Sequence, residues 1–110
     1  MITQIGISEW PESLNDQAAM LDLEPNELQK RAGILFSPSC DSLDGFLGSV
    51  FRITNNQLVG LMRYDNNPVP GTILVVEQGL YDPSKGVQQL DAILDALGVA
   101  AHHVIWLRES

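Results

Sequence analysis

The chain has 110 residues, 45% of them hydrophobic, and a formal net charge of −8 at pH 7. This is ordinary globular composition, and it argues against disorder. The acidic excess disfavours phosphate backbones and anionic lipid, because both attract Lys and Arg, and it is compatible with a basic protein partner. No apolar run approaches the roughly 20 residues of a membrane helix, and the N-terminus lacks a signal-peptide pattern. We therefore expect one cytoplasmic domain over residues 1–110, without a membrane partner.

The first third of the chain predicts two short helices. Residues 2–7 alternate weakly and indicate a short edge strand or an extended arm. Apolar residues then recur at helical spacing over Pro11–Leu21, which indicates the first helix. Pro25 suits the first turn of a second helix, Pro25–Ala32, and Gly33 suits its end.

The middle of the chain predicts a loop followed by a β-hairpin. Gly33–Gly48 has no apolar periodicity, and its Pro, Ser and Asp residues favour turns. The runs Val50–Thr54 and Gln57–Tyr64 are typical of strands. Asn55 and Asn56 lie between them, and Asn tolerates the positive φ angles that a tight hairpin turn requires.

The last third predicts a strand, a helix and a second strand. Thr72–Val76 is apolar and β-branched, as in a strand buried on both faces. Asp82 suits a helix cap, an apolar stripe follows, and Gly98 suits the helix end. His103–Leu107 indicates another buried strand, paired parallel to a neighbour through the crossover. The predicted fold is α+β: two short N-terminal helices, an antiparallel meander of about three strands and a β-α-β crossover, with the helices on one face of the sheet.

An interaction surface is predicted around the Pro-rich loop 65–71. Aromatic side chains beside an exposed polar loop are typical of protein–protein contacts. The candidate residues around this loop are Tyr64, Tyr81, Asp65, Asn66 and Asn67. Trp10 is a further candidate, because it lies at a predicted helix entrance near the N-terminus, where we expect it to be exposed or to form a subunit contact. The hairpin Val50–Tyr64 also contains a strand edge, which favours a homodimer because unpaired edges invite association.

An alternative prediction is a helix-turn-helix over residues 14–33. The spacing of Ala18, Leu21 and Leu28 fits such a motif. Glu24 and Glu27 lie near the end that would enter the DNA groove and would repel phosphate, so nucleic acid is the less favoured partner. The DNA-contacting residues under this alternative are Asn26, Gln29, Lys30 and Arg31.

No catalytic, metal or cofactor constellation is recognisable in the sequence. His102 and His103 are adjacent, and neighbouring residues of a strand point to opposite faces, so the two rings are not expected to share a metal. Cys40, the single cysteine, has acidic neighbours that work against activation of its thiol. The predicted function is therefore a small acidic, non-enzymatic interaction module, such as an inhibitor, an immunity-like protein or an adaptor. A third alternative is a small-molecule sensor or enzyme with a pocket between sheet and helices, for which the sequence offers no set of residues.

Overall fold

The computed structural model describes residues 2–6, 10–40, 45–66 and 70–109. Within these residues the chain forms an antiparallel sheet of seven strands with helices on one face. The strands are β1 (Thr3–Ile5), β2 (Leu14–Leu21), β3 (Ser37–Cys40), β4 (Gly45–Arg52), β5 (Leu58–Tyr64), β6 (Thr72–Glu77) and β7 (Val104–Leu107). The helices are α1 (Pro25–Ala32) and α2 (Asp91–Leu97), with 3₁₀ segments at Pro83–Leu90 and Ala101–His103.

The strand order is β1-β4-β5-β6-β2-β7, and β3 pairs with β4 beyond the end of β1. Strand β2 lies between β6 and β7 and is antiparallel to both. Strands β6 and β7 therefore run in the same direction but do not pair with each other. The predicted three-strand meander with a last strand paired parallel to its neighbour is therefore wrong. The crossover makes β6 and β7 run in the same direction, but β2 lies between them and pairs with both.

The predicted first helix, Pro11–Leu21, is also wrong, because most of it is strand β2. Two register shifts interrupt the pairing of β2 with β6. These bulges place Ala18 and Ala19 in the core in succession and leave Leu14 and Leu21 on opposite faces of the sheet. A strand with two bulges can mimic the three-to-four-residue spacing of a helix. Pairing on both sides then decides the structure against local pattern.

The predicted loop Gly33–Gly48 contains β3 and the beginning of β4. Pro38 lies opposite Leu47 in this pair. Proline lacks a backbone N–H and is tolerated in a strand at the edge of a sheet, where β3 lies. The prediction of a loop is therefore wrong for Ser37–Cys40, because the Pro and Ser residues of this segment, which favour turns, lie in an edge strand.

Three predictions that rest on residues tolerant of positive φ are confirmed. Helix α1 spans Pro25–Ala32, and Gly33 ends it in the left-handed conformation at φ 70°. The β4–β5 hairpin turns at Asn56, which has φ 67°. Gly98 ends α2 at φ 68°. In each case a residue that tolerates positive φ occupies the position that demands it.

The two faces of the sheet carry separate apolar clusters. Strand β5 shows the alternation: Val59 and Leu61 point to one face, and Leu58 and Met62 to the other. The helix face packs sheet residues under both helices, through Leu28, Phe51, Val59, Leu61, Leu74, Val76, Leu90, Ile93, Leu94 and Leu97. The opposite face, here called the Trp10 face, contains Leu14, Phe46, Val50, Leu58, Met62, Ile73 and Val75, with Ile5, Trp10, Met20 and Tyr64 packed against them.

Candidate functional site

An aromatic cluster lies on the Trp10 face and unites two of the predicted interaction residues. Phe46 and Tyr64 are opposite each other in the β4–β5 pair. The Phe46 ring meets the ring of Trp10 edge-on at 5.3 Å between centroids and that of Tyr64 at 5.7 Å. Such edge-to-face pairs are favourable beyond the area that they bury. Phe46, which was not among the predicted interaction residues, thus connects Trp10 with Tyr64.

The Trp10 ring lies directly on the sheet, at a place where two glycines leave the strands without side chains. A Cβ on Gly60 would come within 2.7 Å of the ring, and one on Gly48 within 2.9 Å. The indole N–H donates to the Leu14 carbonyl oxygen at 2.7 Å. Its one polar group is therefore satisfied inside the protein, and the ring serves as an apolar cover.

Beside this ring the Trp10 face contains a partly open cavity of about 220 Å³. We call it the aromatic pocket. Its lining is uncharged and mostly apolar, and two side-chain amides contribute the clearest polar groups. The lining residues are Trp10, Leu14, Asn15, Gln17, Phe46, Met62, Tyr64 and Val75.

The other predicted interaction residues are divided between two places. Asp65 and Asn66 are exposed after β5, where the Asp65 N–H donates to the Gly45 carbonyl oxygen at 3.0 Å; Asn67 lies outside the described residues. Tyr81 is not on this rim, because it is 8% exposed and belongs to the helix-face cluster.

Tyr81 packs against the C-terminal end of β7. Its hydroxyl donates to the Arg108 carbonyl oxygen, and the Arg108 guanidinium lies 4.6 Å from the ring centroid. Arg108 also contacts the Asp16 carboxylate at 3.3 Å. Burial raises the pKa of the Tyr81 phenol above its ordinary value, and the nearby Arg108 charge opposes that shift only in part. Tyr81 therefore has a structural role.

The most exposed apolar strand is β7, which pairs with β2 and with no other described strand. Ile105 is 51% exposed and Trp106 48% exposed. We call this strand, with its unpaired side, the β7 edge. The prediction that His103–Leu107 is a buried strand is wrong for Ile105 and Trp106, which are exposed, and Trp10, a predicted exposed residue, is half-buried.

The hairpin Val50–Tyr64 does not present a free edge for a homodimer over its paired length. Strand β5 lies between β4 and β6. Strand β4 pairs with β5 on one side and with β3 and β1 on the other. The strand edge on which the dimer prediction was based is therefore used inside the sheet, and a homodimer stays a prediction.

The predicted helix-turn-helix lacks its first helix, because residues 14–21 are β2. The Glu24 carboxylate lies 3.2 Å from the Arg63 guanidinium and accepts from the Gly71 N–H, so it ties α1 to the sheet. Of the four proposed DNA-contacting residues, Gln29 accepts from the Phe36 N–H and Arg31 donates to the Gly98 carbonyl oxygen. Asn26 and Lys30 remain exposed. The corner is strand, turn and helix, and its geometry does not support DNA recognition.

The histidines and Cys40 do not assemble into a reactive site. His103 Nδ1 lies 2.6 Å from an Asp22 carboxylate oxygen. Its ring is 4.3 Å from that of His102, because a 3₁₀ turn replaces the predicted strand entrance. Cys40 is exposed on β3. Among the described residues no three His, Cys, Asp or Glu side chains converge as metal ligands.

Comparison with protein-family models, with curated proteins and with solved structures finds no match for this chain. None of the helices in the described ranges has the length and apolar character needed to cross a membrane. Functional inference therefore depends on the two surfaces found here, the aromatic pocket and the β7 edge.

Two features of these surfaces escaped the sequence analysis. The apolar run of β7 resembles a buried strand, and nothing in it shows that one side lacks a neighbour. The packing of Trp10 on Gly48 and Gly60 is only weakly indicated by the sequence, because a glycine inside a strand often marks the close approach of another group. Which group approaches is decided only when β4 and β5 pair.

Proposed function

We propose that the protein is a non-enzymatic interaction module that binds an extended segment of another protein along the β7 edge. The observation that carries the proposal is the exposure of Ile105 and Trp106 on a strand that pairs with β2 and with no other strand in the described part of the chain. Addition of a partner strand to an open sheet edge is a recurrent mode of peptide recognition, in which backbone hydrogen bonds supply affinity and side chains supply specificity.

The β7 edge lacks the charged and proline residues that commonly oppose association, and its only protection is its short length and one register shift. Exposed edge strands are commonly blocked by lysine, proline or inward-pointing charge. Val104–Leu107 contains none of these. The nearest cation, Arg108, is held by Asp16 and stacks on Tyr81, so it lies over the protein and not across the open side.

The backbone of β7 has groups available for a partner. The Arg108 N–H donates to the Ala18 carbonyl oxygen of β2 at 2.9 Å. Because backbone groups alternate in direction along a strand, those of Leu107 point away from β2. Ile105 lies at the shift between the Met20–Trp106 and Leu21–Val104 pairs, which increases the local twist. A short, twisted partner segment fits this edge better than a long flat strand.

The chemistry of the partner follows from the side chains and the charge. Ile105 and Trp106 suit apolar partner side chains, and aromatic residues are frequent anchors of interfaces. The net charge of −8 favours a basic partner, mainly by accelerating encounter. We therefore expect a partner segment with apolar residues at its centre, carried by a basic protein, and an association rate that falls as salt rises.

The test compares three forms of the tagged protein as bait in nuclease-treated native lysate. Ile105→Lys places a charge on the edge. Leu80→Lys is the matched control, because Leu80 is 57% exposed and lies outside β7. We expect one stoichiometric protein with the wild type and with Leu80→Lys, depleted at least tenfold with Ile105→Lys. Equal capture by both variants, or capture of no protein, would contradict the proposal.

A second copy of the chain is the competing occupant of this edge. Light scattering of the purified protein distinguishes the two cases, since β7-mediated self-association makes a dimer that Ile105→Lys dissociates. We expect a monomer for the wild type at micromolar concentration, because two chains of charge −8 repel each other. A wild-type dimer that Ile105→Lys abolishes would assign the edge to self-association and overturn the proposal of a different partner.

A further inference from the structure

We propose that the aromatic pocket binds a small neutral molecule built on one aromatic ring with a carboxamide or hydroxyl substituent. This goes beyond partner binding at β7, because the pocket lies on the Trp10 face and its lining includes no β7 residue. Four lines of observation lead to this ligand class: volume, wall chemistry, polar groups and charge.

The volume selects the size of the ligand. An apolar protein cavity of about 150 Å³ can hold benzene, and sites for drug-sized molecules begin near 300 Å³. The aromatic pocket, at about 220 Å³, lies between these limits. It has room for a single ring with one small substituent, and it is too small for a dinucleotide or a sugar chain.

The walls favour an aromatic ring over an aliphatic one. Trp10, Phe46 and Tyr64 form a continuous edge-to-face series along one side. A further ring can extend that series, since ring faces and edges carry opposite partial charge. Met62 adds a polarisable thioether to the lining, and sulfur contacts with rings are favourable.

Two amides provide the polar recognition. The Gln17 side chain is exposed and makes no hydrogen bond with another described residue. Asn15 uses its amide nitrogen on the Gln78 side-chain oxygen at 3.2 Å, so its carbonyl oxygen is still an acceptor. An amide offers both a donor and an acceptor, which a ligand carboxamide or hydroxyl can match.

Charge excludes an anionic ligand. None of the lining residues is charged, so nothing in the pocket pairs with a carboxylate or phosphate. The chain as a whole carries −8 and repels anions at long range. A neutral molecule meets neither penalty.

The test uses benzamide as the probe and two compounds that each change one property. Benzoate keeps the ring and adds a negative charge; cyclohexanecarboxamide keeps the amide and removes the aromatic ring. The protein is the Trp106→Phe variant, in which Trp10 is the only tryptophan, so its fluorescence reports on the pocket. We expect saturable binding of benzamide with a dissociation constant on the order of 1 mM, as small ligands allow.

Both comparison compounds are expected to bind at least fivefold more weakly than benzamide. Equal binding of cyclohexanecarboxamide would overturn the aromatic preference, and equal binding of benzoate would overturn the preference for neutral ligands. No saturable change in Trp10 fluorescence or in its indole N–H resonance up to about 10 mM benzamide would overturn the site itself.

Two variants locate the binding. Tyr64→Leu keeps an apolar side chain but removes one ring of the wall, and we expect at least a fivefold loss of benzamide affinity with the circular dichroism spectrum unchanged. Ile105→Lys lies outside the pocket lining and should bind benzamide like the parent. Unchanged binding by Tyr64→Leu would contradict the proposal, and loss of binding by Ile105→Lys would place the probe at β7. The pocket and the β7 edge are thus tested separately.

Discussion

The two faces of the sheet are built from alternate residues of the same strands, yet they are covered in different ways. On the helix face, two amphipathic helices lie over the strands, and Leu61 and Leu74 are fully buried. On the Trp10 face, one indole ring lies on Gly48 and Gly60, and a cavity remains beside it. A helix buries a strip of sheet continuously, whereas a single ring leaves a gap at its rim. The less completely covered face is where a ligand can enter.

The largest expected effect comes from neighbouring residues of β5 that point to opposite faces. Leu61→Ala opens a cavity under the helices and should cost about 3–5 kcal/mol of unfolding free energy. Met62→Ala enlarges a space that already exists and should cost about 2 kcal/mol, at the lower end of such truncations. Urea unfolding of both variants measures the difference. A greater loss for Met62→Ala would show that the Trp10 face is as tightly packed as the helix face.

A smaller effect on stability is expected at Gly60, on which the Trp10 ring packs. A methyl group on Gly60 would lie 2.7 Å from the indole ring, so Gly60→Ala must displace it. We expect a loss of about 1–3 kcal/mol in unfolding free energy, as for other overpacked sites. A change in Trp10 emission should accompany it in the Trp106→Phe background.

The control for that substitution is Gly6→Ala, because no described residue other than its chain neighbour lies within 4 Å of a Cβ at Gly6. Its effect should stay within about 0.5 kcal/mol. We expect Gly60→Ala to cost less unfolding free energy when Trp10 is already replaced by Leu, because the effects of substitutions at contacting residues are not additive. Equal costs with and without the indole would contradict it.

Tyr81→Phe probes the helix face near its border with β7. Loss of the hydrogen bond to the Arg108 carbonyl oxygen should reduce the unfolding free energy at pH 7 by about 0.5–1.5 kcal/mol. Burial holds the folded-state pKa of Tyr81 above 10.0, its ordinary value. The stabilisation that follows from this shift is therefore complete below pH 10.0 and is lost as the pH rises through the folded-state pKa.

The measurement for Tyr81 is a series of urea titrations of wild type and variant between neutral and strongly alkaline pH. Because Tyr81→Phe has no phenol to ionise, its stability should decline less steeply above pH 10.0 than that of the wild type. Parallel curves would mean that Tyr81 ionises as easily in the folded as in the unfolded chain.

The smallest effect on stability is expected at the β7 edge. Ile105→Lys changes an exposed side chain and should alter the unfolding free energy by no more than about 0.5 kcal/mol. Thermal unfolding beside Leu80→Lys provides the measurement. A large loss would show that Ile105 contributes to the core, and any binding defect of the variant would then reflect misfolding.

Part of the candidate surfaces could be predicted from the sequence because some of their determinants are local. Trp10 was predicted as an aromatic residue at a helix entrance and Tyr64 as one beside the Pro-rich loop, and the structure brings the two to one pocket. Tyr81 was selected on the same ground and lies in the core instead. The difference depends on which face of the sheet each ring reaches. That is a property of strand pairing and not of neighbouring residues.

The sequence by itself determined the features that depend on a few adjacent residues: the limits of α1 at Pro25 and Gly33, the hairpin turn at Asn56 and the end of α2 at Gly98. Proline and residues that accept positive φ restrict the backbone wherever they occur, so these features need no partner. Only the tertiary structure decided that Leu14–Leu21 is a strand, because its hydrogen bonds go to segments more than fifty residues away along the chain. Its insertion separates β6 from β7, and it leaves β7 at the open edge with Trp106 exposed.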